Sequence, residues 1–150
     1  MKIKHILAAV DFSDVTDAVV DAVETLALTF AAPATFLHVE APEPEFVGYE
    51  PGPQHVRDNV AKQTLEDHQR IIAVREKLKN DGVECHSLVV QGPTVEKIIE
   101  EAGRVGADII VIGTHGHGML FDLVMGSVSE GVTRHAVCPV LVVPDPRREH

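Results

Sequence analysis

"ADIIVIGTHGHGMLFDLVMGSVSEGV", residues 107–132, sets an aliphatic run of strand length against a glycine-rich loop and a segment with helical spacing. The run at Ile109 to Ile112 is too short for a helix and lacks the polar alternation of a half-exposed strand, so it reads as a strand covered on both faces. Aliphatic runs of the same kind recur at Ile3 to Val10, Thr35 to Val39, Val83 to Val90 and Val140 to Val143. Between them, Val15, Ala18, Val19, Ala22 and Leu26 fall on one helical face, as do Ile71, Val74 and Leu78, and then Val95, Ile98, Ile99 and Ala102. Strands alternating with amphipathic helices imply an α/β fold with a mainly parallel sheet.

The punctuation between these segments agrees. Ser13 or Asp14 is placed to cap the first helix, with Asp14 and Asp17 adding negative charge near its N-terminus. Gly82, in "NDG", and Gly106 are suited to end the second and third helices in the left-handed conformation. The spacing Ser127 to Glu130 reads as a capping box opening the last helix. "APEPEFVGYEPGPQ", residues 41–54, breaks the rhythm and reads as a long proline-rich loop, a candidate flap over the end of the second strand. Residues 1–150 are expected to form one domain ending in a short tail at 144–150, since a chain of this size can bury about 70% of its unfolded surface.

Composition narrows the partners. The formal net charge is −10 and the thirteen lysines and arginines are scattered, which argues against nucleic acid, whose affinity comes largely from phosphate neutralisation. No stretch approaches the roughly 20 apolar residues of a membrane span, and Asp11 interrupts any leader-like run, so no membrane partner and a cytoplasmic location are expected. Cys85 and Cys138 have no metal-ligand spacing and read as small buried hydrophobes. His115 and His117 in "THGHG" lack a third ligand at a recognisable spacing, so no metal site is expected from the protein alone. His5, His38 and His135 read as packing or surface groups.

Parallel sheets of this class bind ligands beyond the carboxyl ends of their strands. Asp11 stands just past the first strand, and Gly113 and Gly116 just past the fourth, where absence of a side chain lets the backbone approach a ligand. Gly126 and Ser127 then open the last helix, whose free N–H groups suit an anion. This is neither a Walker A loop, since Met125 and Gly126 rather than lysine precede Ser127, nor a dinucleotide fingerprint, since "GHGMLF" lacks the third glycine and follows the fourth strand. A phospho-acceptor receiver domain is excluded by "VVQGP" and "VVPDP" at the ends of strands three and five, which lack its aspartate and lysine.

Gly113, Gly116 and, nine residues on, Gly126 and Ser127 match the G-x2-G-x9-G-(S/T) pattern of the universal stress protein family in its ATP-binding branch. "ILAAVDFSD", "FLHVE" and "GSVSEGVTRHAVCPVLVVP" resemble the family's opening strand and acidic turn, its second strand, and its closing helix and strand, so the likeness spans nearly the whole chain. The resemblance implies a Rossmann-like three-layer α/β/α fold with a five-stranded parallel sheet of order 3-2-1-4-5. It places Ala9 and Val39 beside adenine, Asp11 by the base and ribose, and Gly113, Thr114, His115, Gly116, His117, Gly118, Gly126, Ser127, Val128 and Ser129 around the phosphates. It further implies a homodimer through the strand at 140–143. The expected ligand is ATP, or ADP or AMP, with magnesium arriving on the nucleotide.

Two positions depart from the family pattern: His117 stands where relatives often carry arginine, and "LFDL" puts Asp122 in a stretch that is often basic. Loss of fixed positive charge weakens phosphate binding, and protonated His117 would restore a cation, so ATP affinity is expected to rise as pH falls from about 8 to about 6. The loop supplies no Arg or Lys to stabilise developing phosphoryl charge, so a stress-response regulator that binds nucleotide without fast catalysis is favoured. A slow magnesium-dependent ATP hydrolase and a nucleotide-free dimeric scaffold are the alternatives.

Overall fold

A computed structural model describes residues 1–40, 53–114 and 125–147. Five strands, β1 (Ile6–Ala9), β2 (Ala34–Glu40), β3 (Cys85–Gln91), β4 (Ile109–Gly113) and β5 (Val140–Val143), alternate with four helices, α1 (Thr16–Phe30), α2 (Gln54–Asn80), α3 (Thr94–Val105) and α4 (Ser127–His135). All strand pairs are parallel and the order is β3-β2-β1-β4-β5, as the resemblance implied. The proline-rich loop expected at 41–54 falls almost wholly outside the described residues; Pro53 caps α2 and Gln54 already belongs to it.

Side-chain alternation along each strand divides the interior into two layers. Ile6, Ala8, Ala34, Phe36, Ile109 and Val111 pack with Val19, Val23, Ile71 and Leu78 from α1 and α2. Leu7, Leu37, Ile110 and Ile112 face the other way and pack with Ile98 and Ala102 of α3 and Val132 of α4. Each fully buried aliphatic or aromatic side chain contributes roughly 1.5–3 kcal/mol of transfer free energy, so the sheet is fastened on both faces. Among the described residues no helix is long and apolar enough to cross a membrane.

The helix ends differ from the reading of the sequence in two places. Neither Ser13 nor Asp14 caps α1: its N-cap is Val15, with no side-chain cap bond. Asp11 Oδ1 instead accepts the Ser13 N–H at 3.0 Å, an aspartate turn one step earlier, and Asp14 pairs with Arg147 at 2.8 Å. The capping box at α4 is also corrected. Gly126 is the N-cap, Ser127 is the first helical residue, and Glu130 pairs with Arg134 at 2.7 Å rather than reaching back. Gly82 and Gly106 do take positive φ, 91° and 66°, where helices two and three end. The left-handed Ala31 that ends α1, φ 50°, carries no glycine to announce it.

Candidate functional site

β1 sits between β2 and β4, so the connections leaving its two sides diverge and open a crevice beyond the strand ends. A cleft of about 230 Å³ lies there. Ala9 and Asp11 enter from the end of β1, Val39 from β2, Gly113 from β4, and Gly126, Ser127, Val128 and Ser129 from the start of α4. Eight of the residues singled out from the sequence therefore meet in one place. Thr114 is buried behind them and acts as a tie. Its N–H donates to the Val143 carbonyl at 2.9 Å, while its own carbonyl accepts the Gly126 N–H at 2.5 Å and the Ser129 hydroxyl at 2.9 Å. His115, Gly116, His117 and Gly118 lie outside the described residues.

The α4 end of the cleft follows from local chemistry. Gly126 is extended, φ −77° and ψ 165°, and the first intrahelical bond runs from Glu130 N–H to the Gly126 carbonyl. The N–H groups of Ser127, Val128 and Ser129 precede that bond and carry the positive end of the helix dipole. The Ser129 side chain is turned away from ligand duty, since its hydroxyl is buried against the Thr114 and Gly126 carbonyls at 2.9 and 3.0 Å. Its backbone N–H, not its hydroxyl, is the group available to an anion. Among the described lining residues Asp11 is the charged one and none is Lys or Arg. Binding of an anion there rests on backbone dipoles.

The opposite wall is closely fitted. A Cβ at Gly113 would collide with Cγ1 of Val15, so the strand end is flush against the start of α1 only because residue 113 has no side chain. Between β1 and α1 the chain makes a strained turn, with Phe12 at φ 60°, a conformation costing a non-glycine residue about 1–3 kcal/mol. The Phe12 ring lies 5.1 Å from the His38 ring and 5.8 Å from the Arg70 guanidinium, which hold it there.

Several lining residues were not among the site residues expected from the sequence. Val15, Thr16 and Val19 come from α1, Leu37 and Ile112 from the strands, and Thr94 and Ile98 from α3. Thr16 is 7% exposed, and among the described residues its hydroxyl has no hydrogen-bond partner. A buried hydroxyl without a partner costs about 1–3 kcal/mol and is a group that a bound polar ligand would satisfy. Thr16 lies on the apolar stripe of α1, so its spacing announces core rather than site.

Elsewhere the titratable groups behave as packing predicts. Burial pushes the Cys85 thiol up to about 11 and raises that of Cys138 in the same direction; both cysteines are free. His5 is held below the ordinary histidine value, first by burial and then by the neighbouring His86. Among the described residues no group of three or more His, Cys, Asp or Glu side chains could hold a metal ion.

Comparison with known proteins agrees with this architecture. The chain is 30% identical over 142 residues to universal stress protein YxiE of Bacillus subtilis, covering 91% of this chain and 96% of that one. The solved structure of MJ0577, a universal stress protein of Methanocaldococcus jannaschii, superimposes with a TM-score of 0.81 at 29% identity, covering 96% of this chain and 97% of that one. A universal stress protein from Archaeoglobus fulgidus, solved in complex with dAMP, shares the fold with a TM-score of 0.69 at 20% identity over 95% of this chain and 99% of its own. The family model of the universal stress proteins matches residues 2–144. With the strand order in place and Gly113 and Gly126 of the glycine pattern meeting at the divergent crevice, the chain belongs to the universal stress protein family.

Proposed function

We propose that the cleft binds an adenine nucleotide, ATP in the first instance, and that the protein acts as a stress-response regulator through the nucleotide it holds. The observation that carries the reading is the convergence of Asp11, Gly113 and the α4 N-terminus on one cleft. Phosphate oxygens would accept hydrogen bonds from the N–H groups of Ser127 to Ser129, with Gly113 allowing close approach. The ribose hydroxyls would reach Asp11, and the base would lie against Ala9 and Val39. The Thr16 hydroxyl, without a partner among the described residues, and the flush contact of Gly113 with Val15 support a cleft shaped around a polar ligand. The Archaeoglobus protein solved with dAMP supports the adenine nucleotide as the ligand class. His115 to Gly118 would complete the phosphate end, with magnesium brought by the nucleotide.

Turnover is slow or absent on this reading, because the described lining contributes one carboxylate and no fixed cation to stabilise a departing phosphoryl group. A homodimer through β5 fits the same picture. β5 is an edge of the sheet, and Leu141 and the nearby Val137 are 38% and 95% exposed, an arrangement that a second copy would cover.

Mass analysis of nucleotide released by denaturing freshly purified protein, alongside calorimetric titration with ATP, tests the proposal. Stoichiometric adenine nucleotide, or saturable ATP binding that Asp11→Ala weakens, supports it. Magnesium-dependent phosphate release abolished by Asp11→Ala would favour the hydrolase, and an empty protein that binds no nucleotide would favour the scaffold.

A further inference from the structure

The turn that carries Asp11 is gripped from the side away from the cleft. His38, on the face of β2 opposite Val39, is buried, and its Nδ1–H donates to the Val10 carbonyl at 2.9 Å. Its Nε2 lies 3.3 Å from Oδ2 of Asp67 on α2, whose side chain is 13% exposed. Gln63 Nε2 donates to the other Asp67 oxygen at 2.9 Å, and Arg70 stands 3.9 Å from it. Arg70 in turn lies over the Phe12 ring, so β2 and α2 enclose the strained turn between Val10 and Ser13.

His38 faces two acceptors, one at each ring nitrogen. The Val10 carbonyl and the Asp67 carboxylate both only accept. A neutral imidazole has one N–H, and spending it on Val10 leaves the Nε2 lone pair facing a carboxylate. The imidazolium has two, satisfies both acceptors and makes the second bond charge-assisted. Histidine is the side chain whose charge changes within about pH 5–8.

We propose that His38 is a positioning residue for the nucleotide site, its imidazolium bridging the Val10 carbonyl to Asp67 so that proton uptake fixes the Asp11 turn against α2. If the cleft takes an adenine nucleotide, as proposed above, affinity is then linked to His38 protonation through Val10 to Phe12 on one side and Val39, its chain neighbour, on the other. The charged groups around it among the described residues are Asp67 and Arg70 on α2, Asp11 on the turn, and the pair of Glu40 on β2 with His68 on α2 at 3.1 Å. Its neighbour in register on β3 is the uncharged Val89. The Glu40–His68 pair is exposed and screened, whereas His38 is enclosed.

The test uses the full chain carrying His115→Gln and His117→Gln, so that the loop histidines add no pH response. ATP affinity by calorimetry, and nucleotide-free amide protection at Ser13 and Thr16 corrected for intrinsic exchange, are measured at about pH 6 and about pH 8. Both are expected to be about fivefold higher at the lower pH, the small end of ordinary site-to-site coupling. His38→Asn, which retains a donor for Val10 but cannot reach Asp67, is expected to remove the pH response of both readouts. Asp67→Asn is expected to do the same, and carries the test if His38→Asn does not fold. A reference chain with no pH response, or a His38→Asn chain weakened equally at both pH values, overturns the proposal. Amide protection that keeps its pH response while no chain binds ATP upholds the bridge and refutes the nucleotide reading.

Discussion

Replacing Gly113 by alanine puts a methyl group into space held by Val15, whose side chain is 3% exposed and cannot swing into solvent without leaving the core. The Gly113 backbone does not have positive φ, so the effect is steric and not conformational. Overpacking of one methyl in a closed site costs about 1–3 kcal/mol. For a chain of this length, each kcal/mol lowers the melting temperature by about 2–4 °C. The displaced valine also moves into the cleft it lines, so ATP affinity falls along with stability. Val15→Ala alone removes two buried carbons, at about 0.8 kcal/mol each plus a cavity contribution. In the double variant the new methyl at 113 occupies part of the vacated volume. Urea unfolding of the four proteins, with equal slopes, should therefore give a double variant more stable than the sum of the single changes by about 1 kcal/mol or more. Additivity within about 0.5 kcal/mol would show that Gly113 and Val15 do not share the space, and the account of a fitted wall would be wrong.

Ser129→Ala removes the hydroxyl that holds the Thr114 carbonyl to α4; because that carbonyl keeps the Gly126 N–H, unfolding free energy should fall by only about 1 kcal/mol, and a fall several times larger would mean the tie carries more than one bond. Alkylation at mildly alkaline pH should label Cys138, which is only partly buried, well before Cys85, whose thiol burial pushes up to about 11; equal rates in the native protein would contradict the packing of β3. His5 has a lowered folded value, so the unfolded chain binds its proton first. Stability should fall as pH drops below the ordinary histidine value and recover above it, and His5→Gln should remove that part of the slope in urea unfolding across the window. An unchanged slope in His5→Gln would assign the proton elsewhere.

The strand cores were legible because aliphatic runs buried on both faces have few alternatives, and the observed elements begin or end within a few residues of the expected ones. The aliphatic pattern of the first strand reaches back to Ile3, but the described ladder with β2 and β4 starts at Ile6. The strand order came from family resemblance; alternation alone leaves the permutation of a parallel sheet open. Asp11, Gly113 and Gly126 were legible as candidate lining because they follow strand ends or open a helix, where parallel α/β sheets place their ligand crevices. Thr16, Thr94 and Ile98 were not, because a helix residue enters a cleft through the rotation of its helix in the packed layer, which single-chain spacing does not encode. The two misplaced caps share a cause. In both, a side chain close in sequence fixes the local geometry: Asp11 accepts the Ser13 N–H one step before α1, and the Ser129 hydroxyl holds the Thr114 and Gly126 carbonyls, leaving the first N–H groups of α4 uncapped by any side chain.

On the proposed function an adenine nucleotide occupies the cleft between β1, β4 and α4. Backbone amide resonances of isotope-labelled protein followed during titration with magnesium ATP test it at the level of single residues. Saturable shifts at Ala9, Asp11, Val39, Gly113 and Gly126 to Ser129, with α2 beyond Arg70 unmoved, are the predicted result. No shifts at millimolar nucleotide, or shifts clustered away from the strand ends, would contradict it.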